Sequence, residues 1–147
     1  MPNSDDILKS AGVKIHEDKK LGRFYGPGRW RLNGSVDFPF QEKVSFTFEL
    51  TQSQQQFPES MARNVEWLLD NMGEIWNTAA VAINEMIEAQ QIKIPPEFVL
   101  GHFWAFIPNA SLVTEEWRVE IEPRNMVESF EVVFRGLKIV SHKVLTD

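Results

Sequence analysis

PESMARNVEWLLDNMGEIWNTAAVAINEMIEAQQ, residues 58–91, is the long helical pattern of this chain, and the rest of the fold is organised around it. Met61, Val65, Leu68, Leu69, Met72, Trp76, Ala79, Ile83, Met86 and Ile87 recur at the spacing that places apolar side chains on one face of a helix. Pro58 suits a helix entry, and Glu59 stands where the positive end of the helix dipole favours an acid. A single helix of this length would run about 45 Å at 1.5 Å per residue, against a radius of gyration of about 15 Å for a compact chain of this size. A break is therefore expected. Gly73, costly inside a helix, is its natural place, giving helices over Pro58–Met72 and Glu74–Gln90.

On either side the pattern changes to alternation. Towards the N-terminus, a short helical turn over Asp5–Ser10 is ended by Gly12, a strand covers Val13–His16, and Gly22, Gly26, Pro27 and Gly28 mark turns. Trp30 and Leu32 before Asn33-Gly34, with Val36, Phe38 and Phe40 after it, predict a hairpin with a type I′ turn. Pro39 confines the end of its second strand to an edge or a bulge. Val44, Phe46, Phe48 and Leu50 alternate with Ser45, Thr47, Glu49 and Thr51, as in a half-buried antiparallel strand. Beyond the helices, Pro95-Pro96 stops helical structure and Phe98–Ile107 reads as a buried strand. Trp117, Val119 and Ile121 then alternate with Glu116, Arg118, Glu120 and Glu122, giving a strand with one charged face. Phe130, Val132 and Phe134 alternate again, Gly136 turns, and Leu137–Val144 is a last strand. Strands, helices, then strands define the expected class: a single α+β domain over residues 1–147, with an antiparallel sheet made of an N-terminal β-meander and C-terminal strands, and a central helix, bent, or a helix pair packed on one face.

Composition narrows the function classes. With 43% hydrophobic residues, 11 Phe and 5 Trp among 147 residues, the chain can bury a large aromatic core. It has no cysteine, which excludes disulfides, thiolate metal sites and a cysteine nucleophile. A net charge of −6 without a basic stripe argues against nucleic acid as partner. The N-terminus lacks a signal-peptide pattern and no apolar run is long enough to span a bilayer, so a cytoplasmic location without membrane attachment is expected.

Charge is concentrated in the helical stretch, where Glu59, Glu66, Asp70, Glu74, Glu85 and Glu88 face a single base, Arg63. Glu66, Asp70 and Glu74 stand at i, i+4 and i+8, and like charges at that spacing repel unless something is gained from them. They are the candidate contact face for a basic protein, with Trp67, off the main apolar stripe, as a candidate anchor. The alternatives are a solvated helix exterior, with Arg63 close to Glu59 and Glu66, and a Trp67 that covers a neighbouring strand. A second candidate is an aromatic pocket formed by His102, Trp104 and Trp117. His16, His102 and His142 fall on separate strands at spacings that match no metal motif, and none of the serines sits in a nucleophile elbow. No cofactor or metal is implied.

Gly34-Ser35-Val36-Asp37-Phe38-Pro39-Phe40, Val44-Ser45-Phe46, Glu116-Trp117-Arg118-Val119-Glu120-Ile121 and Phe134-Arg135-Gly136-Leu137, in this order around the helices, resemble small bacterial domains found among the immunity proteins of polymorphic toxin systems. The resemblance implies a non-enzymatic cytosolic protein that binds and blocks a toxin partner. The competing expectations are a small-molecule-binding or enzymatic domain using the aromatic pocket, and a homo-oligomeric structural subunit such as a homodimer.

Overall fold

The computed structural model describes residues 4–94 and 99–145. The expected stop at Pro95-Pro96 and the start of a strand at Phe98 lie outside them. In chain order the elements are α1 (Ser4–Ser10), β1 (Lys14–Asp18), β2 (Gly22–Gly26), β3 (Arg31–Phe38), β4 (Gln41–Leu50), α2 (Glu59–Asp70), α3 (Met72–Gln90), β5 (Leu100–Ile107), β6 (Glu116–Pro123), β7 (Ser129–Arg135) and β8 (Lys138–Leu145). The class is α+β. The eight strands form one sheet in the order β1 to β8, each beside its neighbours in the sequence.

The sheet departs from the expected all-antiparallel pattern at its centre. β4 and β5 run parallel, with Phe46 beside Phe103 and Leu50 beside Ile107, while the other neighbouring pairs are antiparallel. A parallel neighbour needs a long crossover rather than a hairpin, and α2 with α3 is that crossover.

Asn33-Gly34 is not a turn. Both residues lie inside β3, where Asn33 pairs with Thr47 and Gly34 with Phe46. The glycine is used for space: a Cβ at position 34 would come within 2.6 Å of the Phe46 ring. Asn33 Oδ1 accepts a 2.8 Å hydrogen bond from the Thr47 hydroxyl, which ties the pair into the ladder. The chain reverses instead at Pro39-Phe40, where Asp37 Oδ1 accepts the Lys43 backbone N–H at 2.8 Å and Lys43 adopts φ 54°.

The helical stretch does break, two residues before the expected point. Asn71, with φ −111° and ψ 12°, separates α2 from α3, and its side-chain amide donates to the Trp67 carbonyl at 2.8 Å. An asparagine that bonds its own backbone offers an alternative to the helical ladder, whereas Gly73 sits in the first turn of α3 with open space around it.

Strand pairing aligns Leu32, Phe48, Ala105, Val119 and Val132 in one row, and Phe46, Phe103, Ile121 and Phe130 in the next. These side chains form one buried cluster with Met61, Val65 and Leu68 of α2 and with Met72, Ile75, Ala79, Ile83 and Met86 of α3. Trp67 meets Trp117 edge-on at 5.9 Å, and Trp76 lies 5.5 Å from Phe38. Each fully buried aromatic contributes roughly 1.5–3 kcal/mol, so this cluster dominates stability.

Candidate functional site

Because side chains alternate along a strand, the residues between the core positions share the opposite face. The register places Asn33, Thr47, Trp104, Glu120, Glu131 and Lys143 in one row across that face. Glu49, Phe106, Arg118 and Val133 form a second row, and Ser45, His102 and Glu122 a third. Three aromatic rings thus stand in line along β5, flanked by carboxylates.

Two networks organise this face. The Thr47 hydroxyl donates to Asn33 Oδ1, and its oxygen lies 2.8 Å from His102 Nε2, so that nitrogen carries hydrogen and donates to Thr47. Burial holds the His102 imidazole below its ordinary value, against the pull of Glu122, and the ring is neutral at pH 7. The second network pairs Arg31 with Glu49 at 2.9 Å and Lys143 with Glu131 at 3.4 Å. Arg118 stands 3.8 Å from Glu120 and lies over the Phe106 ring, 4.0 Å from its centroid. Glu120 faces Glu131 directly across β6 and β7 and is two residues from Glu122. Burial pushes the Glu120 carboxyl above the usual glutamate range; Arg118 draws it back, while Glu131 and Glu122 push it further up. Like charges placed directly opposite destabilise a sheet.

Trp104 sits at the centre, 4.7 Å from the His102 ring and stacked within 9° on Phe106. Its indole N–H is buried with no acceptor among the described residues. Beyond Phe106, a hollow of about 240 Å³ lies between Thr51, Pro108, Glu116, Trp117, Arg118 and Val133, and neither His102 nor Trp104 lines it.

The expected aromatic pocket is divided by the sheet. His102 and Trp104 share this face, but Trp117 points the other way, stacked on Phe134 at 4.8 Å within the core. Odd and even positions of paired strands cannot meet through the backbone layer. The helical carboxylates are also less uniform than their spacing implies. Glu66 pairs with Lys20 at 2.6 Å, which raises the Lys20 ammonium above its ordinary value; Asp70 is exposed at the end of α2; and Glu74 lies beyond the break at Asn71. Trp67, packed on Trp117, covers β6. Arg63 forms an ion pair with neither Glu59 nor Glu66; Glu66 is held instead by Lys20 from outside the helix.

The three histidines stay apart: His16 is stacked at 3.9 Å on Phe57, His102 is bound to Thr47, and His142 is 4.0 Å from Glu85. Among the described residues no group of three or more His, Asp or Glu side chains is placed to hold a metal.

Asn33, Thr47, Glu120, Glu122 and Glu131 were not singled out by sequence as site residues. Their signal is the alternation itself. Glu116-Trp117-Arg118-Val119-Glu120-Ile121-Glu122 carries a charged face, and His102, Trp104 and Phe106 alternate with Phe103, Ala105 and Ile107 in the same way, so the two polar faces are contiguous once the strands pair. Compared with protein-family models, with curated proteins and with solved structures, the chain matches none.

Proposed function

We propose that this chain is a non-enzymatic protein-binding domain of immunity type, which captures a basic protein partner and blocks it. In this reading the helix pair covers one face of the sheet, and the opposite face around Trp104 is the recognition surface. The observation that carries it is the grouping of Glu120, Glu122 and Glu131 beside an aligned Trp104 and Phe106 on a strand face. An arginine or lysine from a partner would stack on the rings and enter between carboxylates that are too close for comfort with one another. Such a cation relieves like-charge repulsion and gains a cation–π contact in one step. Arg118 over Phe106 is the same arrangement within the chain.

The helical carboxylates Glu66, Asp70 and Glu74 are the competing surface, and an experiment separates the two. In a titration of isotope-labelled protein with an oligo-arginine peptide, the Trp104 indole N–H and amides of β5 to β7 should shift, and Glu120→Lys with Glu131→Lys should abolish the response. Shifts confined to α2 and α3 would move recognition to Glu66, Asp70 and Glu74. No saturable shift anywhere would refute a basic partner. The immunity reading adds that co-expression with the product of the neighbouring reading frame should relieve toxicity, and that the same charge reversals should cancel the relief.

A further inference from the structure

A second surface, away from the carboxylate face, has the opposite chemistry. Ser60, Arg63, Asn64 and Trp67 stand at i, i+3, i+4 and i+7 of α2 and line a cleft of about 450 Å³, closed on its far side by the loop that carries Asn109 and Ser111. Its walls are fixed to each other. The buried Asn64 amide donates to the Ala110 carbonyl at 2.7 Å, its Oδ1 lies 3.4 Å from the Leu112 N–H, and the Ser60 hydroxyl donates to Asn109 Oδ1 at 2.5 Å. Leu112 is buried, and its carbonyl accepts the Gly136 N–H at 2.8 Å. The cleft therefore exists before anything enters it.

What it offers is mostly donors. Arg63 is the one base between Pro58 and Gln91, and its guanidinium has no ion pair among the described residues. Asn109 keeps its amide N–H₂ free after accepting from Ser60, and the Ser111 oxygen accepts the Val113 N–H while its hydroxyl hydrogen remains to be given. Among the described residues no carboxylate lines the cleft. A planar guanidinium with amide and hydroxyl donors selects an oxyanion, and an indole wall selects a flat apolar body attached to it.

We propose that this cleft binds a small aromatic oxyanion, a carboxylate or phosphate carried on a ring, with the oxyanion on Arg63 and the ring against Trp67. The site is independent of the sheet face and would stand if that reading failed.

Titration with benzoate, phenyl phosphate, acetate and inorganic phosphate, followed by the Trp67 indole N–H and the amides of Ser111 and Val113, tests it. Saturable shifts are expected with the two ring-bearing probes at millimolar concentration or below, and weaker ones with acetate and phosphate. The stronger of benzoate and phenyl phosphate distinguishes a carboxylate from a phosphate ligand. Arg63→Gln should weaken binding about tenfold or more, since a hydrogen bond to a charged group is lost, and Arg63→Lys should retain part of the affinity. Asn109→Ala should weaken it less. Because Arg63 is exposed, its variants keep the fold, which an unchanged melting temperature verifies. Equal binding in Arg63→Gln, shifts located elsewhere, or no saturation with any probe up to about 10 mM, beyond the affinity of a usable site, would overturn the proposal.

Discussion

Asn64 is the buried amide that joins α2 to the loop before β6, and its replacement by alanine has a calculable cost. Two hydrogen bonds disappear. The one from the amide to Ala110 is short, 2.7 Å, but water can reach that carbonyl from the cleft, so its loss is of the order of 0.5–1 kcal/mol. The other is long, 3.4 Å, yet it serves the N–H of Leu112, which is only 1% exposed. A buried donor left without an acceptor costs about 1–3 kcal/mol, and the weak starting geometry places this one at the lower end. Together the expected destabilisation is about 2 kcal/mol. For a domain of this size each kcal/mol lowers the melting temperature by about 2–4 °C, so Asn64→Ala should melt about 4–8 °C lower. Chemical denaturation should show the same loss at an unchanged slope, and amide exchange at Leu112 and Gly136 should accelerate relative to β7. Asn109→Ala, on the exposed side of the same loop, should stay within about 0.5 kcal/mol of the parent. A drop below 1 °C for Asn64→Ala, or equal effects at both positions, would refute the assignment of Asn64 as the tie.

Gly34→Ala should destabilise by about 1–3 kcal/mol, because its Cβ would lie 2.6 Å from a Phe46 ring that is itself buried against Phe48; combining it with Phe46→Leu should cost less than the sum of the two, as measured by denaturation. Glu120 has a folded-state pKa raised above its unfolded value, so its contribution is fully present below the unfolded value and is lost as pH rises through the folded one. Glu120→Gln should therefore melt higher than the parent at pH 7, with the difference closing below about pH 4, where both states of the parent are protonated. Asp18 behaves in the opposite sense. The backbone N–H groups of Leu21 and Lys20 hold its carboxyl below the usual range, so its contribution is present above the unfolded value and disappears as pH falls through the folded one. Asp18→Ala should lower the melting temperature at pH 7 and converge on the parent in acid.

Elements whose pattern is local were legible in the sequence. The apolar stripe from Met61 to Ile87 defined the helical segment, and the alternation in β6 and β7 named the buried side chains, because a period needs only the residues that carry it. In β4 the alternation held only in part, since Thr47 and Glu49, expected on the open face, are buried as well, β4 lying at the centre of the sheet. Asn33-Gly34 failed for the opposite reason: a glycine required by a ring on the adjacent strand looks the same in sequence as one required by a turn. The break at Asn71 was displaced because glycine's propensity counted for less than the bond from Asn71 to Trp67. For the candidate site, Trp67, His102 and Trp104 were chosen by residue type, but the partner of His102 is Thr47, 55 residues away. Grouping Trp117 with Trp104 overlooked parity, which only the register between β5 and β6 reveals. The row from Asn33 to Lys143 needs five strand pairings at once, none of which a single chain displays before it folds.

The parallel pairing of β4 with β5 divides the chain into two meanders that can each form from neighbouring segments. Roughly 50 residues separate Leu50 from Leu100, so the seam between them has by far the largest loop to close and should set the pace of folding. Until it closes, each half presents an unpaired edge rich in phenylalanine: Val44, Phe46 and Phe48 on one side, Phe103, Phe106 and Ile107 on the other. A ribosome-bound or truncated chain ending in α3 would carry the first of these edges exposed, the arrangement that invites strand addition from another copy. The join that lets eight sequential strands share one sheet is thus also the place where synthesis is most exposed to aggregation.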